Sequence, residues 1–577
     1  MRPPSVFISE VIFIIIYDFE VFKHDWLICW LDTETRKMYK IVNDRDKFIK
    51  FYGHYRDRIW VGYNSRGYDQ WIVKAILADF DPYAMNDWII NKDRKGHEFS
   101  NLLHSFPIIN YDTQVGFRSL KELEGFMGSD IRECEVPFDI DRKLTKDELQ
   151  SVISYCEHDV METFRVFIET KSEFESHIGL IQEFGLPLTM MNKTKAQISA
   201  IILGANKIQR DDEFNIRYPD TINMGKYKDI LNVYDNWSKN VRDYKELSFN
   251  YEIAKVPHTF GVGGLHGAIK GYIGEGTYLL ADVSSYYPAL MIEYDFLSRN
   301  VSNKARFKLI RDERLVLKAK RDPREYPRKI VINATFGASK DKYNNLYDPL
   351  QSNNICIGGQ LLLVDLIEKL ENHCEIIQSN TDGVLIKLYK NIDEPKIKRI
   401  CDEWSKRTRM DLDFKRYNKV IQKDVNNYIM AGEKGVERKG AVKESTVLDR
   451  NLHIVKEAVV NYFLYGTSPE DTIMNSNSLM DFQGIVKVSH KYDYAWKDGK
   501  IYKERVFRFF ASKEDSDGTL YKKHKSKDSL DKVARVPDKC FIDNTNIVDK
   551  TVPDKLDRQW YIDSAYSMIG DFVKGRK

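Results

Sequence analysis

The chain has 577 residues, too many for one hydrophobic core, so two or more domains are expected. Hydrophobic residues make up 42% and charged residues 30%, which reads as soluble and globular. Lys and Arg number 89 against 86 Asp and Glu, and a net charge of +3 excludes a generally basic nucleic-acid coat. Any DNA-binding groove must come from local clusters of Lys and Arg.

No repeat and no low-complexity tract is evident. The apolar run 11–17, preceded by Glu10 and followed by Asp18 and Glu20, is too short to span a bilayer. It reads as a buried strand, and no membrane association is expected. Residues 1–110 alternate short β-rich runs with helical ones, and 145–175 reads as one helix. The polar stretch 205–250 reads as a connecting region. A Gly-rich segment, 260–267, leads into a strand at 277–285. Helices are expected at 303–321 and 328–338, with Pro323 and Pro327 between them. A further helix at 358–372 precedes a strand pair at 374–388, whose Asp382–Gly383 suits the hairpin turn. Near the end comes a lysine-rich patch, YKKHKSK at 521–527. The seven cysteines include no Cys-x-x-Cys pair, which argues against a zinc ribbon or disulfide framework and fits a reducing, cytoplasmic compartment.

Three segments of the first third carry acids with chemical promise. Asp18 and Glu20 lie two apart on the predicted strand and so face one side, where both can bind the same pair of divalent cations. By itself an Asp-x-Glu triplet is common. The segment VGYNSRGYDQ supplies Asn64, Tyr68 and Asp69; alone it reads equally as a turn. YCEHDV places Tyr155 and Asp159 one helical turn apart, and His158 beside them reads as structural. Four carboxylates can hold two hard cations, which activate a water and stabilise a leaving 3′ oxygen. In this order the segments resemble the three exonuclease motifs of proofreading family B DNA polymerases. RSLKEL, with Ser119, Leu120 and Leu123, resembles a further element of that family. The resemblance implies that Tyr155 orients the water. It also implies that Asn64, Tyr68, Ser119, Leu120 and Leu123 hold a single-stranded DNA 3′ end.

A second group follows. ADVSSYYPALM contains Asp282, Val283, Ser285, Tyr286 and Tyr287, and alone it reads as a strand-to-helix turn. In RKIVINATFG, Lys329, Asn333, Phe336 and Gly337 share one helix face that is polar rather than core-like. Arg314 and Lys318 lie one turn apart upstream, as a solvated face or a triphosphate clamp. SNTDGV contains Asp382, and alone it is an ordinary hairpin turn. In family order these strings resemble polymerase motifs A, B and C, with Tyr286 for Leu, Ala334 for Ser, Phe336 for Tyr, Asn380 for the first Asp and Gly383 for Ser. The resemblance implies that Asp282, the Val283 carbonyl and Asp382 hold two metal ions between primer and triphosphate. It further implies that Tyr287, Ser285, Tyr286, Arg314, Lys318, Lys329, Asn333, Phe336 and Gly337 bind the nucleotide. Gly263 and Gly264 resemble the Tyr-x-Gly-Gly linker, and Tyr428, Lys439 and Gly440 the primer-duplex-binding region, with Asn426 in place of its Lys.

The likeness is to compact phage-type members, and the 46 residues between Asp282 and Lys329 leave no room for the insertion of protein-primed members. The implied fold is α/β and multidomain: an RNase H-like exonuclease at 1–180, a connecting region at 181–260, palm at 261–300 and 339–450, fingers at 301–338, and thumb with the C-terminal region at 451–577. Implied cofactors are Mg2+ or Mn2+, two per active site. Implied partners are primer–template DNA, deoxynucleoside triphosphates, a single-stranded 3′ end and replisome proteins, bound by a monomer. Two other readings remain: an exonuclease with an inactive polymerase module, and a non-catalytic DNA-binding replisome component.

Overall fold

The apolar run near the start of the chain forms β1 (Ile14–Val21). The structure, a computed structural model, describes residues 13–574, so positions 11 and 12 of the expected strand lie outside the described residues. β1 continues past its expected end because its antiparallel pairing with β2 (Trp26–Asp32) runs through Val21. β2 pairs in turn with β3 (Lys37–Val42), and β4 (Ile59–Gly62) and β5 (Asn110–Asp112) extend the other side in parallel. The sheet order is β3-β2-β1-β4-β5, which makes β1 the central strand. Its core gathers aromatic side chains, among them Tyr17, Phe19, Phe48, Trp60 and Trp71.

The expected helix 145–175 is two helices. Lys146–Glu169 starts at a capping box in which Thr145 and Glu148 exchange backbone-to-side-chain hydrogen bonds. It ends at Thr170, whose hydroxyl bonds back to the Val166 carbonyl at 2.8 Å, and Lys171–Glu183 resumes the helical path.

The chain divides into two compact units. One comprises Met1–Thr194, Ser445–Val455 and Ile473–Ile562; the other comprises Lys195–Glu444, Lys456–Thr472 and Asp563–Lys577. The second unit is built on a nine-stranded antiparallel sheet. Its strands are β6 (Phe249–Ile253), β7 (Val256–Phe260), β8 (His266–Ala268), β9 (Tyr272–Val283), β10 (Glu375–Asn380), β11 (Gly383–Lys387), β12 (Leu412–Asp424), β13 (Asn427–Gly432) and β14 (Gly435–Lys439). Their order is β14-β13-β12-β9-β11-β10-β8-β7-β6.

The helix expected at 358–372 begins nine residues earlier, spanning Pro349–Leu370. Its first turns read as polar, yet they are buried because their amides are used internally. Asn353 donates to the Glu213 carbonyl at 2.9 Å, and Asn354 accepts from the Arg217 N–H at 2.8 Å. Thus the 205–250 stretch supplies partners for this helix; within it Tyr234 donates to Gln360 at 2.9 Å. Beyond a short helix at Tyr286–Glu293, the two helices expected at 303–321 and 328–338 span Lys304–Ala319 and Glu325–Lys340. Pro327 lies inside the first turn of the latter, where its missing N–H is not needed, rather than between the helices.

The C-terminal strands belong to the first unit. β15 (Gly484–Lys487), β18 (Val506–Ala511) and β21 (Cys540–Ile542) form one sheet, in the order β15-β18-β21. β16 (Tyr492–Lys497), β17 (Lys500–Tyr502), β19 (Tyr521–His524) and β20 (Leu530–Lys532) form another, in the order β17-β16-β19-β20. Arg508 on β18 is 0% exposed and fixes this segment to the N-terminal one. Its guanidinium donates to the carbonyls of Ser129 (2.7 Å) and Gly125 (3.2 Å), and to Gln483 Oε1 (3.0 Å). Residues 451–577 are therefore shared between the two units. Among the described residues no helix is long and apolar enough to cross a membrane. All seven cysteines are free.

Candidate active sites

In the first unit, strand periodicity places Asp18 and Glu20 on one side of β1, and their carboxylate oxygens lie within 4.8 Å of each other. Asp69 opens the helix Asp69–Leu77, and its Oδ1 accepts the N–H of Phe19, between the two acids, at 3.2 Å. Asp159, on Lys146–Glu169, completes the group, with Tyr155 one turn before it.

A cleft of about 680 Å3 is lined by Asp18, Glu20, Asp69 and Asp159, together with Asn64 and Tyr68. Its apolar rim includes Ile90, 61% exposed, and Phe138, 49% exposed. Asn64 holds a left-handed φ of +57°, an uncommon conformation for a side chain other than glycine. Tyr68 donates to Asn86 Oδ1 at 2.8 Å.

All four carboxyls are shifted upward. Burial is the largest cause for Asp18, followed by Asp69, Glu20 and Asp159. Burial and then Asp159 raise Glu20. Burial raises Asp69 to about 7 against two backbone N–H donors. Burial also raises Asp159, and Lys121 opposes it.

The sequence pattern did not single out Lys121, within RSLKEL. Its ammonium donates to Asp159 Oδ1 at 2.5 Å and Glu124 Oε1 at 3.0 Å, and it lies 4.5 Å from the centre of the Tyr155 ring. Glu124, His158 and Asp159 form a second group of close ligand atoms, and the Lys121 ammonium bonds two of its three members. One lysine against four clustered acids leaves negative charge uncompensated, so the donor set fits hard divalent cations held through oxygen.

Three expected strand-binding residues are not among those that line the cleft. The Ser119 N–H and hydroxyl both donate to Glu122 Oε2, at 2.8 and 3.0 Å. Leu120 and Leu123 are buried in a hydrophobic cluster with Tyr63 and Phe126.

In the second unit, Asp282 lies one residue before the end of β9, opposite Gly383 on β11 and opposite Asp413 on β12. The turn of the β10–β11 hairpin is Thr381–Asp382, one residue earlier than expected, since Asn380 pairs with Gly383. Asp382 is thereby set beside Asp282, and its carbonyl accepts the Val283 N–H at 2.7 Å. Thr381 takes a φ of +60°, a strained choice for a β-branched residue. Ser285 is left-handed too, at +52°.

Gly383 has a local reason: a Cβ there would come within 2.9 Å of Asp282 Oδ1. Gly264 has another, since a Cβ would meet Thr381 Oγ1 at 2.5 Å. The Gly-rich segment therefore packs against the hairpin turn, while Gly263 has open space at its Cβ position and its carbonyl accepts from Gln360 at 2.8 Å.

Asp282 is raised to about 6 by burial, then by Asp382, with Asp413 adding to it and Lys415 opposing. Burial raises Asp382 as well, against Lys439 and Lys415. Asp413 and Lys415 escaped the sequence reading. Their one signal was alternation along a strand, and Asp413 accepts from the Ser284 hydroxyl at 2.6 Å. These acids lie near one another, with Asp282 raised first by burial and then by Asp382, but their ligand atoms do not form a three-membered group as close as those of the first unit.

Around this group the rings of Tyr287 and Phe336 lie 4.0 Å apart. Lys329, Asn333, Phe336 and Gly337 lie on the accessible side of Glu325–Lys340, and a Cβ at Gly337 would touch nothing. Lys318 is exposed. Arg314 is buried, bonding Ser285 Oγ at 3.1 Å and Glu325 Oε2 at 3.1 Å. Tyr286 points into the core, donating to the Gly359 carbonyl at 2.6 Å. Tyr428 pairs with Lys439 across β13 and β14, and Gly440 turns with a φ of +69°.

No family model matches the sequence, and no curated protein does. Among solved structures, the chain is similar to the family B DNA polymerase from the hyperthermophilic archaeon Pyrobaculum calidifontis. The sequence identity is 14%, the match covers 98% of this chain and 79% of that one, and the TM-score is 0.42.

Proposed function

We propose that the chain is a DNA-directed DNA polymerase of the family B, phage-like type that carries its own 3′→5′ proofreading exonuclease. The observation that carries this reading is the register that sets Asp282 against the Asp382 turn, with the Tyr287–Phe336 ring pair beside them. These residues come from three separate motifs that matched the polymerase order. The mixed order β3-β2-β1-β4-β5, with paired acids on the central strand, supports an RNase H-like exonuclease at 1–180. The nine-stranded sheet supports a palm, and the helix pair Lys304–Ala319 and Glu325–Lys340 supports fingers. The thumb role falls to the parts of 451–577 that pack with the second unit, beginning with Lys456–Thr472.

Mg2+ or Mn2+, two per site, would supply Lewis-acid charge to the attacking and leaving oxygens. Asp282 and Asp382, with Asp413 nearby, would hold them in one site, and Asp18, Glu20, Asp69 and Asp159 in the other. Tyr287 offers a ring on which the incoming sugar rests, and Lys318 and Lys329 offer cations to the triphosphate. Arg314, tied to Ser285 and Glu325, positions the left-handed turn after β9. In the exonuclease site, Tyr155 keeps its hydroxyl proton, since burial and Asp159 push its pKa upward, and so can donate to a water. Asn64 and Tyr68 face the cleft where a frayed strand would lie.

One feature favours the alternative of an exonuclease with an inactive polymerase module: Asn380 stands where the resemblance places a carboxylate. Asp413, opposite Asp282 on the other neighbouring strand, is a further nearby acid that speaks for the active reading. Primer extension with Mg2+ decides. Asp382→Ala should abolish extension and spare digestion of single strands, and Asp18→Ala should do the reverse. Unchanged activities in both variants would end the assignment.

A further inference from the structure

The lysine-rich stretch 521–527 belongs to neither site, and the fold gives it a defined setting. It forms β19 and the turn that follows, within the four-stranded sheet of the first unit. One face of that sheet covers a core that includes Ala495, Phe507, Leu520 and Val533. The register defines the other face. Trp496 stands opposite Ile501 on β17 and Tyr521 on β19, and Tyr521 stands opposite Lys532 on β20. Lys523, two residues from Tyr521, shares its side and pairs with Leu530.

This outer face is open. Ile501 is 55% exposed and Leu530 43%, and the Trp496 and Tyr521 rings lie 5.8 Å apart. A sheet face of aromatic and aliphatic groups is unusual at a surface unless something covers it.

The charge beside it identifies the occupant. Lys525 and Lys527 continue from β19, both exposed, and neither has an ion-pair partner among the described residues. Lys523 and Lys532 hold only exposed acids, Asp528 and Asp538. The cations also run on from the sheet. Burial, and then the positive charges of Arg505, Lys487 and Lys525, lower the pKa of His490. Lys487 pairs at 2.8 Å with Glu122, the carboxylate that receives the Ser119 N–H and hydroxyl.

We propose that this face of β16, β17, β19 and β20 binds single-stranded nucleic acid, with bases stacked on Trp496 and Tyr521 and phosphates met by Lys525 and Lys527. Flat aromatic surfaces flanked by lysines recognise unpaired bases, whose ring faces are free, whereas a duplex hides those faces in its own stack. The surface goes beyond the two catalytic sites and needs neither of them to turn over.

The test uses the full chain in EDTA, which halts metal-dependent digestion, and a fluorescein-labelled oligothymidylate read by anisotropy. The double variant Trp496→Ala/Tyr521→Ala should bind it at least about 10-fold more weakly. In Lys525→Ala/Lys527→Ala, the slope of log affinity against log salt should fall by about 1.4, two phosphates' worth for a single strand. The same strand annealed into a duplex should be little affected. Cross-linking of the unaltered chain to an iodouridine-substituted strand should mark peptides within 491–532, and this arm holds even if a variant misfolds. Unchanged single-strand affinity and salt slope in well-folded variants, or cross-links confined to other peptides, would overturn the proposal. So would loss of binding to poly-glutamate or duplex alone. A chain that neither extends nor digests, yet loses oligothymidylate on these substitutions, would sink the catalytic reading and leave this one standing.

Discussion

Replacing Lys121 with methionine keeps the aliphatic stem and removes the ammonium that bonds Asp159 at 2.5 Å and Glu124 at 3.0 Å. Both carboxylates are buried, Glu124 fully, and Asp159 meets solvent only through the cleft. Removing one member of a buried ion pair costs about 3–5 kcal/mol, and two stranded carboxylates place the expected loss at about 5 kcal/mol near neutral pH. The sign with pH follows from the shifts. The Lys121 pKa is raised in the fold, so its contribution is fully present below its usual value of 10.5 and is lost only as pH rises through the raised one. In the variant, Asp159 loses the partner that held its pKa down, and a carboxyl raised by folding costs stability above its folded pKa. The deficit should therefore be largest near pH 8 and shrink toward about pH 5, as Asp159 takes up a proton. Mg2+ should stabilise the variant more than the parent, because the acid cluster has lost its internal cation. Urea unfolding followed by hydrogen exchange of the helix Leu120–Met127 reports on the first unit alone. A variant as stable as the parent at both pH values, with the same Mg2+ response, would refute the view that Lys121 neutralises this cluster.

Other expectations follow from the same geometry. Asp282, raised to about 6, is protonated below that pH, so at limiting Mg2+ primer extension should decline as pH falls through about 6. Raising Mg2+ should move that limb to lower pH, which pH–rate profiles at two concentrations would check. Gly383→Ala places a Cβ within 2.9 Å of Asp282 Oδ1 and should slow extension by about 100-fold, the effect of a roughly 1 Å displacement at a reacting centre. Single-strand digestion, measured on the same preparation, should be untouched. Arg508→Met strands carbonyls at the end of Leu120–Met127, at about 1–3 kcal/mol for each one left unpaired. It should raise hydrogen exchange across 120–131 and weaken digestion more than extension.

Local pattern was enough to find some elements and not others. The acids of β1 were legible because a strand repeats every two residues, and Tyr155 with Asp159 because a helix repeats every 3.6. The polar opening of Pro349–Leu370 hid a buried helix, since its amides find partners more than a hundred residues away. Tyr286 looked like a site residue from its neighbours in the string, yet its hydroxyl is spent on the Gly359 carbonyl. The hairpin turn was misplaced by one residue because Asp-Gly is a strong turn signal, while the structure puts the strain on Thr381 and uses Gly383 to clear Asp282.

By itself, then, the sequence determined which side chains are candidates for the chemistry and, for most of them, which strand or helix carries them, because those properties depend on spacing along the chain. Only the tertiary structure decided which of them meet. Asp282 and Asp382, one hundred positions apart, are neighbours through the pairing of β9 with β11; Asp413 joins them through β12, and Lys121 becomes the counter-ion of Asp159. Burial and electrostatic coupling depend on distance in space, and no local periodicity encodes that.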